Sequence, residues 1–221
     1  MENWLGDFWS HLHSAEGLRQ LILAGGIGIM CLIVFAETGL LAGFFLPGDS
    51  LLVTAGVLSA VNGDRPALFS PWAVAITLSA AAIIGNQTGY WLGRKFGQRA
   101  ESRPDSWFFK RKHLNAARNY FAAKGPISLL LARFIPILRT FVPFAAGMGS
   151  MSPRTFLRWN IIGGLIWVNS LTWIGYFIGG TPLADELHKI ILIVVVVSFI
   201  PVVWGLTKTA VTSGWGSKNG K

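Results

Sequence analysis

The sequence predicts an all-α, polytopic integral membrane protein: two opposed re-entrant helical hairpins in an inverted repeat, plus spanning helices and an N-terminal interfacial helix. Three observations predict it. Only 13% of the 221 residues are charged, against about 25% in an ordinary soluble domain. The charges gather into short patches and leave long uncharged runs between them. Two of the apolar runs are broken near their middle by proline. With 52% hydrophobic residues, a disordered chain and a soluble enzyme with a polar coat are excluded. The one cysteine, Cys31, excludes an intrachain disulfide and a metal cluster built on thiols. A formal charge of +9 fits nucleic acid or an anionic membrane face, and the hydrophobicity favours the membrane.

The elements follow in order as parts of a single membrane domain, 1–221. Residues 1–19 are expected to lie in the interface as a helix, because Trp4, Leu5, Phe8, Trp9 and Leu12 share one face. The opening MENWLGDFW has no basic leader before an apolar core, so internal segments rather than a cleavable signal are expected to drive insertion. Residues 20–93 form the first repeat. It begins with an apolar stretch, 20–63, charged only at Glu37 and Asp49 and broken at Pro47-Gly48. An uncharged run at 66–93 follows, long enough for a span at 71–93. Residues 94–118 are read as a basic loop.

The second repeat covers 119–180. Its apolar stretch, 125–153, is charged only at Arg133 and Arg139 and broken at Pro136 and Pro143. Proline disrupts a helix interior, and this stretch is too short for two crossings. A re-entrant hairpin fits it, with the tip shielded inside the molecule. Spans are expected at 160–179 and, as a C-terminal transmembrane helix, at 189–207.

Basic residues set the expected orientation. Between positions 94 and 118 lie eight of them, opposed only by Glu101 and Asp105. The positive-inside rule places this loop in the cytoplasm. Arg154, Arg158, Lys208, Lys218 and Lys221 are expected on the same side, so the C-terminus is cytoplasmic. The loops at 62–70 and 180–188 then face outward.

The halves echo each other. Phe45-Leu46-Pro47 matches Phe134-Ile135-Pro136, Ala55-Gly56 matches Ala146-Gly147, and the run from Gly89 to Gly93 matches the run from Gly175 to Gly179. The offsets are 89, 91 and 86 residues. Inverted repeats with broken helices that meet at mid-membrane mark secondary transporters. Gly85, Gly89, Gly93 and Gly97 recur every fourth residue, a spacing that lets helix backbones approach.

Four charges interrupt the two broken stretches: Glu37, Asp49, Arg133 and Arg139. Ionisable groups at mid-bilayer cost several kcal/mol and face a cavity or a partner. Two acids in one hairpin and two arginines in the other point to one shared polar site. Plainer readings stand beside this one. Asp49 can cap a half-helix, Glu37 can form a static pair with an arginine, and Arg139 can snorkel to the interface. Asn86, Gln87 and Asn169 read as interhelical hydrogen bonds, and Tyr90 and Tyr176 as packing or anchoring groups. No metal-ligand spacing, phosphate loop or nucleophile elbow is present, so neither a metal nor a cofactor nor an enzyme is expected.

Taken together, Glu37-Thr38, the segment from Phe45 to Ser50, the segment from Gly89 to Arg94, Arg133-Phe134-Ile135-Pro136, Arg139-Thr140 and Ala146-Gly147-Met148 resemble the DedA (VTT-domain) family of bacterial inner-membrane proteins. The resemblance covers about residues 20–180. Asp49 stands where that family commonly has Glu, and Ile137-Leu138 stand where it often has Pro-Gly. The resemblance implies a lipid translocase moving a lipid phosphate, undecaprenyl phosphate above all, across the bacterial inner membrane under the proton-motive force. It also implies a substrate site at Arg133, Arg139, Glu37 and Asp49, with proton coupling through the two acids.

Chemistry agrees with that implication. Arginine stays charged when buried and offers a fixed fork of donors to phosphate oxygens. A half-helix starting after Pro143 is expected to aim backbone donors at the anion. Burial favours a neutral carboxyl group and a nearby arginine favours the charged one, so Glu37 is the expected proton carrier. The partners expected are an anionic lipid, protons and the membrane, without nucleic acid; a homo-oligomer is compatible. The rival function is a proton-coupled exporter of small cations or drugs, with the two acids as counter-ions.

Overall fold

The computed structural model describes residues 14–41, 43–64, 66–101, 119, 121 and 125–182. Among these residues there are six α-helices and no strand: α1 (Ala15–Gly39), α2 (Gly48–Leu58), α3 (Pro71–Glu101), α4 (Ile127–Ala132), α5 (Pro136–Met148) and α6 (Pro153–Gly179). A 3₁₀ turn, Gly43–Phe45, lies between α1 and α2.

Local chemistry sets the helix ends. The Ser14 hydroxyl caps α1 by accepting from the Gly17 N–H at 3.0 Å. Ser152 does the same for α6 from the Thr155 N–H at 3.2 Å, with Pro153 in the first turn, where its missing N–H costs nothing. Pro136 opens α5 in the same way. Inside the helices, hydroxyls bond back to the previous turn: Thr38 to the Val34 carbonyl, Thr54 to Ser50 and Ser59 to Ala55. That leaves fewer polar groups to be met by neighbours where water is absent. One residue interrupts α1: Gly26, at φ 56° and ψ −152°, takes a backbone conformation that side chains rarely adopt.

Polarity runs from the inside out. Leu32, Trp72, Ile76 and Phe177 are 63–69% exposed, whereas Glu37, Arg133 and Arg139 are at most 4% exposed. A soluble domain has the reverse arrangement; an apolar exterior around a polar interior suits lipid. Among the described residues two helices are long and apolar enough to cross a membrane, Glu16–Gly39 and Pro153–Gly179. The long helix α3, expected to contain a span, does not reach the same apolarity, with Asn86 and Gln87 near its middle.

Glycines set the closest helix approaches. On α2 a Cβ at Gly56 would strike the Thr172 carbonyl of α6, and Cβ atoms at Gly175 and Gly179 would strike Val53 and Val57 of α2. On α5 a Cβ at Gly147 would strike the Tyr90 carbonyl of α3, while Gly93 and Gly97 meet Phe144 and Met148. Gly39 and Gly85 bring α1 against α3. The expected role of the glycine spacing in helix packing is therefore observed. Two apolar clusters fill the remaining space. One is built from α1, α2, α3 and α6 around Leu51, Leu78 and Trp167. The other is built from α3 to α6 around Tyr90, Val142 and Phe156.

The fold corrects several expectations. Residues 94–101, read as loop, continue α3, because nothing in that stretch breaks a helix. Residues 15–19, assigned to an interfacial helix, belong to α1, which starts at the Ser14 cap. The rest of that interfacial segment, most of the basic loop and the C-terminal span at 189–207 lie outside the described residues. The half-helix expected after Pro143 begins seven residues earlier, at Pro136, and Pro143 sits inside it.

Candidate functional site

The four interior charges come from four different places in the fold. Glu37 is near the end of α1, Asp49 in the first turn of α2, Arg133 at the end of α4 and Arg139 in the first turns of α5. Asp49 does not cap α2: that position belongs to Pro47, and no side chain caps the helix. The Pro-Gly step has another use. Gly48 lies against the Glu37 carboxylate, and a Cβ there would overlap Oε2.

Arg139 gathers the two acids. Its Nη2 donates to Glu37 Oε1, and its Nη1 donates to Asp49 Oδ1 at 2.5 Å. Trp167 of α6 completes the arrangement. Its indole N–H donates to the same Asp49 oxygen at 2.9 Å, and its ring lies 5.0 Å from the Arg139 guanidinium carbon. Each side chain therefore fixes the next, and cation–π contact adds to the ion pairs. Arg139 does not snorkel to an interface; it is buried with its partners.

Arg133 is held differently. Its Nη2 donates to the backbone carbonyl of Asn160 at 3.1 Å and also to Asn160 Oδ1. With its amide oriented to donate to the Thr38 carbonyl at 2.9 Å, Asn86 offers Oδ1 to the same Nη2 at 2.6 Å. Asn160 is fixed in turn by donating to the Ile83 carbonyl at 2.9 Å. Gly163 makes room for this arginine: a Cβ there would lie 2.9 Å from Arg133 Cδ and Nε. Among the described residues no carboxylate lies within 4.0 Å of Arg133. The four expected site residues thus form two groups, an Arg139–Glu37–Asp49 trio and an Arg133–amide set.

A small cavity joins the groups. It is lined by Arg133, Arg139, Asn86, Asn160, Phe156 and Pro143 among others, and has room for about one water molecule. The buried Arg139 Nε and Glu37 Oε2 have no hydrogen-bond partner among the described residues.

Asn86 acts as the interhelical bond expected of it. Asn169 also reaches across, from Nδ2 to the Ser79 hydroxyl at 3.4 Å. Tyr90 packs as expected, stacked on Phe156 at 4.3 Å, and its hydroxyl also donates to the Met151 carbonyl at 2.6 Å. Two site residues had not been singled out, Asn160 and Trp167. The signal was present: Asn160, Gly163, Gly164 and Trp167 fall at i, i+3, i+4 and i+7, one face of α6 carrying both polar groups.

Residues 46–177 match the family described as the VTT domain. The chain is 39% identical over 194 residues to Protein DedA of Escherichia coli strain K12, covering 86% of this chain and 87% of that protein. It is 40% identical over 199 residues to an uncharacterized membrane protein of Mycobacterium tuberculosis strain H37Rv, covering 90% and 81% respectively. It is 35% identical over 201 residues to the inner membrane protein YqjA of Escherichia coli strain K12, covering 87% and 85%. No solved structure matches it significantly. An apolar exterior, a buried charge cluster, a VTT-domain match over more than half the chain and relatives of this likeness together make the chain a membrane protein of the DedA family.

Proposed function

We propose that this protein is a lipid translocase of the bacterial inner membrane that moves a lipid monophosphate, undecaprenyl phosphate above all, without covalent chemistry. One observation carries the reading. Two buried guanidinium groups flank one cavity; one has no carboxylate in reach, and the other keeps a buried N–H without a partner. Arginine forks suit phosphate oxygens, and buried charge without a counter-ion in a membrane protein is a functional feature by default. The cavity is smaller than a phosphate group, so admission of the head requires α4 and α5 to move against α3 and α6. The lipid tail stays in the bilayer throughout.

Helix packing supports two opposed re-entrant hairpins in an inverted repeat. Val53 and Val57 of α2 meet Gly175 and Gly179, so α2 runs alongside the last part of α6 in the same direction. Phe144 and Met148 of α5 meet Gly93 and Gly97, so α5 runs alongside the last part of α3. Each short helix packs on the long helix of the other half. In this register Gly93 corresponds to Gly175, whereas the sequence match paired Gly89 with Gly175, one helical turn away. In this arrangement the protein is multi-pass, its basic 94–118 segment and C-terminus face the cytoplasm, and the second hairpin enters from that side.

Proton coupling follows from charge counting. With both acids ionised, the Arg139 trio carries one surplus negative charge, and a buried surplus charge is costly. A proton taken up by Glu37 or Asp49 neutralises the trio and loosens Arg139 toward the incoming phosphate. The cation-exporter reading is the weaker one, because a cation would have to compete with Arg139 for both carboxylates.

Reconstitution in liposomes with sided labelling of undecaprenyl phosphate tests the proposal. Wild-type protein is expected to move the label across, and Arg133→Ala and Arg139→Ala to abolish the movement. Equal movement in both variants, or none in wild-type vesicles, overturns it.

A further inference from the structure

We infer that Asn86 and Asn160 are positioning residues that hold Arg133 without neutralising it, so that this arginine keeps its charge for an incoming phosphate. The inference rests on the lipid-phosphate reading and divides its labour between the two arginines. Every acceptor described for Arg133 is neutral: the Asn160 carbonyl, Asn160 Oδ1 and Asn86 Oδ1. Every acceptor described for Arg139 is a carboxylate. Both arginines and both asparagines line one cavity.

The amides are themselves locked. Asn160 Nδ2 is spent on the Ile83 carbonyl and Asn86 Nδ2 on the Thr38 carbonyl, so each turns only its oxygen to the guanidinium. An aspartate has the same shape and offers the same oxygen with a full charge. Aspartate at either position would give the buried guanidinium a counter-ion, but would also lose the N–H that meets the Ile83 or Thr38 carbonyl and set an oxygen against it. Neutral acceptors fix the geometry and leave the field of Arg133 directed at the cavity. Arg133 then attracts a phosphate in every protonation state of the acids, and Arg139 joins only after its carboxylates let go. Arg133 is the anchor and Arg139 the switch.

The test is thermal unfolding of the purified full chain in detergent, alone and with undecaprenyl phosphate, undecaprenol or inorganic phosphate. Wild-type protein should be stabilised by undecaprenyl phosphate and not by undecaprenol. Asn160→Asp should bind undecaprenyl phosphate at least about tenfold more weakly than wild type, because the new carboxylate neutralises Arg133 and opposes the anion, whatever its unfolding temperature without ligand loses through the broken Ile83 bond. Asn160→Ala should unfold earlier without ligand and keep more of the ligand shift than Asn160→Asp. A merely structural asparagine would give the reverse order of harm. Asn86→Asp carries the same expectation from a different helix, and failure of both aspartate variants to fold overturns the inference. If Asn160→Asp binds like wild type while Arg133→Ala does not, the positioning role is wrong and the lipid-phosphate reading stands. If undecaprenyl phosphate gives wild-type protein no shift, both fall. A shift from inorganic phosphate alone, lost in Asn160→Asp, supports the positioning role and overturns the lipid.

Discussion

Arg139 donates to Glu37 across 102 residues of sequence, and the pair sits in the protein interior with neither side chain more than 4% exposed. Removing the guanidinium leaves Glu37 and Asp49 without their counter-ion, with only the Trp167 indole N–H still donating to Asp49. Arg139→Ala should therefore destabilise the fold by about 3–5 kcal/mol. Arg139→Lys should lose part of that, because one ammonium cannot reproduce a fork that reaches two acceptors. Denaturant unfolding in detergent reads both. An alanine variant as stable as wild type would mean that the acids find other partners.

Trp167 serves the trio in two ways that substitution can separate. Trp167→Phe keeps an aromatic face for Arg139 but deletes the indole donor to Asp49, and should cost about 1–3 kcal/mol. Trp167→Leu also removes the cation–π contact and should cost more, by about 1 kcal/mol beyond lost packing. If the two variants are equally stable, the ring contact contributes nothing. The same unfolding assay decides.

The helical class was legible because a bilayer imposes its demands in plain composition: charge is missing wherever the chain must be apolar, and α1 and α6 carry that mark. The breaks were legible through Pro47 and Pro136, which stand at helix starts, whereas Pro143, read as a break, sits inside α5. The continuation of α3 past Gly93 was not legible. Arg94, Lys95 and Arg99 read as loop on charge alone, although lysine and arginine are good helix formers and nothing stops the helix before Glu101. The trio of Arg139, Glu37 and Asp49 was legible as charge stranded in apolar sequence. Its separation from Arg133 was not, because that depends on which amides face which guanidinium, and only the packing of α3 and α6 decides it. Asn160 marked only the start of an expected span; its contacts with Arg133 and the cavity come from the packing of α6 against α3 and α4.

Glycine contacts make a prediction with a built-in control. A Cβ at Gly56 or Gly147 meets backbone of the neighbouring helix, which cannot rotate away, whereas Gly28 on α1 has nothing within 4 Å. Gly56→Ala and Gly147→Ala should each cost about 1–3 kcal/mol by overpacking. Gly28→Ala should gain up to about 1 kcal/mol from helix propensity. Gly26→Ala, at positive φ, should lose about 1–3 kcal/mol or straighten α1. Thermal unfolding of the four variants should rank Gly28→Ala highest; a flat ranking would contradict the close approaches.

Sidedness gives the last prediction. Asn62 Nδ2 donates to the Thr181 carbonyl at 3.1 Å, so the loop after α2 and the end of α6 share one end of the molecule. The 31 residues of α3 span about 46 Å at 1.5 Å each. That exceeds a hydrocarbon core of about 30 Å, so if α3 crosses the membrane Asp64 and Arg99 are expected on opposite aqueous faces. The density of basic residues after position 93 predicts that the Arg99 end faces the cytoplasm. In a Cys31→Ser background, cysteines placed by Asp64→Cys and Gly180→Cys should react with an impermeant maleimide on intact spheroplasts. Arg99→Cys should react only after lysis. Labelling of positions 64 and 180 from different sides would break the shared end. Labelling of Arg99→Cys from outside would reverse the orientation and, with it, the side from which the second hairpin reaches the arginine cavity.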